Sequence, residues 1–159
     1  MLNCKEVAQR AKEAARIYYE KDQLNCAESV LRALMEQFAG SCPLELLRVA
    51  SGFGRGMGAG CACGALTGSV MAVGLLFGRT EPTGRCPKET GVLSKTVHDA
   101  FREHFGATCC RILHRGLPFG TPEQKASCAT RTAEAAELAA LILAQALNAR
   151  ETLPDSATR

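Results

Sequence analysis

The sequence predicts an all-α protein, a single compact bundle of five to seven helices with a glycine-rich loop. Three observations predict it. Apolar residues recur at three- and four-residue spacing along most of the 159-residue chain. Capping and stop residues, mainly Asn, Thr, Pro and Gly, bound these stretches. No segment shows the sustained two-residue alternation of a half-buried strand, and the apolar run Val70 to Phe77 sits inside helical periodicity. The balance of 47% hydrophobic and 22% charged residues excludes a disordered or collagen-like chain. The length suits one domain with its own core, read as residues 1–150, followed by a flexible tail over 151–159.

The first helix spans residues 3–21, with Val7, Ala11, Ala14, Ala15 and Tyr18 as its inner stripe. Asn25 caps a second helix over 26–39, whose apolar face carries Val30, Leu31, Leu34, Met35 and Phe38. Gly40 ends it, and Pro43 opens a short helix over 43–51. Residues 52–60 alternate five glycines with other residues, which favours a loop with unusual backbone angles or very close packing. A helix over about 63–78 follows, with Gly64, Gly68 and Ala72 at four-residue spacing. Its small-residue face suits close packing within the bundle or across a homodimer, and the sequence leaves both open. After a loop over 79–87 comes a helix over about 88–105, with Val92, Val97, Ala100, Phe101 and Phe105 as its apolar set. Thr108 is the expected cap of a short helix carrying Cys109 and Cys110. Thr121-Pro122-Glu123 then opens a long helix to about Asn148.

The formal charge of +3 is too mild to suggest nucleic acid, and basic residues alternate with acids from Lys5 to Glu20. Residues 56–78 carry no charge, yet seven of these 23 are glycine, so a buried helix after a loop fits better than a membrane span. Residues 1–21 contain no apolar signal-like segment, and a reducing cytoplasm is the expected compartment. Gly54-x-Gly56-x-x-Ala59 loosely matches a dinucleotide fingerprint, but no strand precedes it.

The chemistry-bearing feature is cysteine, nine in all. A chain of this length does not need disulfide staples, so metal or redox work is the expectation. Cys26 follows the capping Asn25, Cys63 opens a helix, Cys110 lies in the first turn of a short helix, and Cys128 lies two turns into the last one. Three of these four are near helix N-termini, where unpaired amides and the helix dipole favour thiolate. Cys61 and Cys109 adjoin the set and are substitutes for their neighbours. Cys42 and Cys86 precede prolines in loops and look peripheral, with a second metal clip as their alternative role, and Cys4 belongs to the first helix.

Cys63-Gly64-Ala65-Leu66-Thr67-Gly68 resembles the Cys-Gly-Ala-x-x-Gly signature of the C_GCAxxG_C_C family of redox-active proteins. The resemblance extends to Asn25-Cys26-Ala27, the glycine run before Cys63, Met71-x-x-Gly74-Leu75 and Cys110-Arg111-x-Leu113. It implies that Cys26, Cys63, Cys110 and Cys128 are the family's four cysteines, and that the chain is a small helical redox domain. A related domain in split-Soret cytochromes is associated with an iron–sulfur centre. This chain has no Cys-x-x-Cys-His for a c-type haem.

Three readings of the site follow. The first is an iron–sulfur cluster, 2Fe-2S or 4Fe-4S, held by the four dispersed cysteines for electron transfer to a redox partner protein or for redox sensing. Gly58, Gly60 and Gly64 would offer amides to it, and Arg55 and Arg111 positive charge. The cysteines stand 37, 47 and 18 residues apart, so the fold must gather them. The second is metal-free thiol–disulfide chemistry, with Cys61 and Cys63 as attacking and resolving thiols. The third is a zinc-stabilised interaction module, for which His98, His104 and His114 offer nitrogen ligands, none at an evident paired spacing.

Overall fold

The computed structural model describes residues 1–152. They form seven α-helices: α1 (Cys4–Glu20), α2 (Cys26–Ala39), α3 (Leu44–Ser51), α4 (Gly64–Phe77), α5 (Lys88–Phe105), α6 (Cys110–Leu113) and α7 (Pro122–Thr152). A π-turn, Gly56–Gly60, precedes α4. Residues 151 and 152 therefore belong to α7 rather than to a tail, and 153–159 lie outside the described residues.

The helix ends follow from local chemistry. The Asn25 side chain accepts from the amides of Ala27 and Glu28, and Glu28 returns a bond to the Asn25 amide at 2.8 Å. This capping box satisfies amides that the first turn of α2 leaves open, and so fixes where Cys26 emerges. The expected Thr108 cap is not formed. Cys109 takes the N-cap position of α6, and the Thr108 carbonyl accepts instead from the Cys63 amide at 2.8 Å. That bond and a second, from the Cys110 amide to the Cys61 carbonyl at 2.5 Å, make an isolated antiparallel bridge between Ala62 and Cys109. No strand extends it among the described residues.

The core is a seam of small and branched side chains. α1 runs along α7 and α2, and α2 lies against α4 and α7. α7, about 45 Å long at 1.5 Å per residue, buries an alanine-rich face that includes Ala133, Ala136, Ala140 and Leu143. The small-residue face of α4 turns inward. A Cβ on Gly68 would stand 2.5 Å from the Ala27 carbonyl, so α2 approaches the α4 backbone as closely as glycine permits. Val92, expected in the apolar set of α5, is 64% exposed, while Val97 and Phe101 are buried. Asn148 exchanges two hydrogen bonds with the Leu2 backbone, at 2.7 and 2.9 Å, pinning the start of α1 to the end of α7. The opposite end of the bundle gathers the last turn of α1 and the first turns of α2, α4, α6 and α7. No described helix is long and apolar enough to cross a membrane.

Candidate functional site

At that end lies a cavity of about 700 Å³ whose wall includes Cys26, Cys63, Cys110 and Cys128. Each comes from a different helix start. Cys26 is the first residue of α2, Cys63 the N-cap of α4 and Cys110 the first residue of α6, while Cys128 lies in the second turn of α7. Cys26, Cys63 and Cys110 are 8%, 4% and 3% exposed, and Cys128 is half-buried. The Ala62–Cys109 bridge holds Cys63 and Cys110 side by side, although 47 residues separate them in sequence.

Two glycines make these positions reachable. A Cβ on Gly64 would lie 2.4 Å from the Cys26 sulfur and 2.9 Å from the Phe53 carbonyl, so only glycine after Cys63 lets α2 bring its thiol in. Gly56, with φ 62°, sits on Cys110, where a Cβ would be 2.8 Å from the Cys110 Cβ. It belongs to a left-handed run of Arg55, Gly56, Met57 and Gly58 that turns the chain from α3 toward Cys61. Arg55 and Met57 carry side chains in a conformation that costs a non-glycine residue roughly 1–2 kcal/mol.

The thiols behave differently from the sequence expectation. Amides of Arg55 and Ala27 favour the Cys26 thiolate, and those of Ala65 and Leu66 favour Cys63, as helix starts should. Burial outweighs them. It pushes Cys26 up to about 12, helped by the neighbouring Cys63 and Cys128 sulfurs, and Cys63 up to about 11. Cys110 is pushed up to about 11 by burial and by Cys26 and Cys128. Burial first, and then the neighbouring sulfurs, keep these three thiols protonated at neutral pH.

Cys128 has its own setting. Gln124 Nε2 donates to its sulfur at 3.1 Å, and His114 Nε2 lies 3.1 Å from it. Arg131 Nη1 reaches the same His114 nitrogen at 3.1 Å. Its Nη2 bonds the Leu113 carbonyl and Ser127 Oγ at 3.1 and 3.2 Å. Burial, and then the neighbouring Cys128 sulfur, hold the Tyr19 phenol well above its ordinary value. His114 is 5% exposed, and burial and the Arg131 charge hold its ring below the ordinary histidine range. Three buried side-chain atoms have no hydrogen-bond partner among the described residues: His114 Nδ1, Arg131 Nε and Thr132 Oγ1. All three belong to residues of this cavity wall.

The other expected residues lie elsewhere. Cys61 is exposed, Cys109 donates its thiol to the Gly60 carbonyl at 3.2 Å, and neither lines the cavity. Gly58, Gly60 and Gly64 are also absent from the lining, with open space beside Gly58 and the Arg111 side chain beside Gly60. Arg55 is part of the wall, whereas Arg111 bonds the Ala59 carbonyl outside it. His98 and His104 pair with Asp99 and Glu134 on the surface. Cys42 is half-buried and Cys86 exposed, both in inter-helix loops, and Cys4 opens α1 beside Asn148. Sequence reasoning overlooked Gln124 and Arg131, although Gln124, Cys128 and Arg131 stand at the four- and three-residue spacing of one helix face. Tyr19 has no such signal, since only the packing of α1 on α7 brings it here.

Among the described residues no three His, Cys, Asp or Glu side chains are arranged to hold a single metal ion. The four sulfurs border a space rather than converge on a point. No match to the chain is found among curated proteins or among solved structures. The family described as "Putative redox-active protein (C_GCAxxG_C_C)" matches residues 24–142, a span that runs from the cap of α2 into α7 and holds all four cavity cysteines. Since that match covers well over half of the 159 residues, the chain belongs to the C_GCAxxG_C_C redox-active family.

Proposed function

We propose that this protein holds an iron–sulfur cluster, 2Fe-2S or 4Fe-4S, through Cys26, Cys63, Cys110 and Cys128, and that it serves electron transfer or redox sensing. The observation that carries the reading is the disposition of these four thiols around one cavity of about 700 Å³. Thiolate sets of four are the usual requirement for such clusters. A polynuclear core sets its sulfur ligands around its outside, which suits sulfurs that border a space. A single zinc ion needs every sulfur about 2.3 Å from one point, a tighter convergence than four thiols spread around a cavity offer. Metal-free thiol exchange works through thiolate, and burial holds three of these thiols protonated.

The orphaned atoms on the wall support the same reading. Unpaired buried donors such as His114 Nδ1 and Arg131 Nε are costly, and an anionic occupant gives them acceptors. When bound, such a cluster takes up and returns one electron at a time. The protein's part is to bind, shield and tune. Cys26, Cys63 and Cys110 hold from the buried side, excluding water. Cys128, less buried and bonded by Gln124, is the edge nearest solvent and the side for exchange with a one-electron partner protein. The reading goes with a reducing cytoplasm, where all nine cysteines stay free as they are here. Anaerobic reconstitution with ferrous iron and sulfide tests it. Visible sulfur-to-iron absorbance that bleaches on reduction is expected, and protein that stays colourless contradicts it.

A further inference from the structure

The strongest unassigned feature of the cavity is the guanidinium of Arg131. Four charged residues line the wall: Glu20, Arg55, Lys125 and Arg131. Glu20 is paired with Arg16 at 3.1 Å, and Arg55 and Lys125 are exposed, where water screens them. Arg131 alone among the three cations is half-buried, with its Nε fully enclosed. Its partners are all neutral: His114 Nε2, the Leu113 carbonyl and Ser127 Oγ. Its Nε is buried with no partner, and the nearby Phe105 ring, 5.9 Å from the guanidinium centre, closes another side. Glu134, one turn along α7, is bonded instead to His104. Among the described residues no carboxylate pairs with Arg131.

A guanidinium is charged at every accessible pH. Burying part of that charge without a counter-ion is unfavourable unless the adjoining space carries negative charge. His114 Nε2 stands 3.1 Å from both Arg131 Nη1 and the Cys128 sulfur, so the ring is a strut between the two.

We propose that Arg131, anchored by His114, is the charge-compensating residue of the cavity and stabilises the reduced, more negative state of whatever the four thiolates hold. Arg131 touches no reacting atom, so it is a positioning residue whose effect appears in the reduction potential. The inference rests on the cluster reading. One electron enters from an external one-electron donor, dithionite in the test, and no atom is transferred.

The test is a mediated redox titration of reconstituted protein, with iron and sulfide assayed on each sample. For Arg131→Gln the midpoint potential falls, the reduced-to-oxidised ratio at fixed ambient potential dropping about tenfold, or 59 mV for one electron. Arg131→Lys restores most of the shift, and Lys5→Gln, at an exposed position in the first turn of α1 and outside the cavity wall, leaves the reduced-to-oxidised ratio within about twofold of wild type. A purely structural Arg131 would instead lower the melting temperature of the metal-free protein and leave the potential in place. If Arg131→Gln does not load, His114→Gln, which removes the anchor of Arg131 together with the ring contact to Cys128, shows a smaller fall of the same sign. Loaded Arg131→Gln, or loaded His114→Gln where that replaces it, with an unchanged potential overturns the inference alone. Wild-type protein that takes up no iron overturns the cluster reading, and the inference with it.

Discussion

The seam between α2, α4 and α7 and the cysteine-lined end of the bundle are built from the same helices by opposite rules. In the seam, contacts are apolar and close, and buried hydroxyls are satisfied, as where Ser69 Oγ donates to the Ala65 carbonyl at 2.8 Å. At the cysteine end, three buried polar atoms lack partners. Two of the three non-glycine residues with positive φ, Gln23 and Arg55, line the cavity there, and the third, Met57, lies in the same left-handed run as Arg55. Local strain and unsatisfied groups persist only where the surrounding structure holds them, and they concentrate at functional sites. The seam stabilises the fold, and it holds the strained and unsatisfied groups of the other end in place.

Substitutions that act on one region alone break this comparison most directly. The largest effect is expected for Cys63→Ser, which removes a buried thiol but changes little volume. Bound iron falls at least about tenfold while the far-ultraviolet circular dichroism of the metal-free protein is unchanged. A smaller and sharper contrast comes from two glycines one turn apart. Gly68→Ala forces a Cβ against the Ala27 backbone, and Gly64→Ala forces one against the Cys26 sulfur and the Phe53 carbonyl. Each costs about 1–3 kcal/mol by overpacking, measured by urea unfolding of the metal-free protein. Only Gly64→Ala also lowers the iron retained per folded molecule. The smallest effect is at Met57, which holds φ 61° and is exposed. Met57→Gly relieves left-handed strain but adds unfolded-state freedom, for a net gain of about 0.5 kcal/mol with iron content unchanged.

Much of the seam was legible because its signals are local. Asn25 and Gly40 bound α2 at the residues where it begins and ends, and the Gly64-Gly68-Ala72 spacing announced a close approach. Cys26, Cys63 and Cys110 were legible as helix-start residues. The protonation of these three was not, since a helix start says where amides point and says nothing of how deeply the sulfur is buried. Likewise the glycine loop was recognised, but its left-handed turn sends Gly58 outward, away from the site it was expected to line. His114 is one turn beyond Cys110 and Arg131 nearly one turn beyond Cys128, and only packing of α6 beside α7 turns the two into a pair. The choice between the α4 small face as a dimer seam or as core was a tertiary question, and α2 covers that face.

The most direct measurement of the central claim is the iron and acid-labile sulfide content of protein isolated without oxygen. Two or four irons per chain with an equal number of sulfides are expected, both lost together in Cys63→Ser. Protein that carries neither, or carries one zinc per chain instead, would contradict the account.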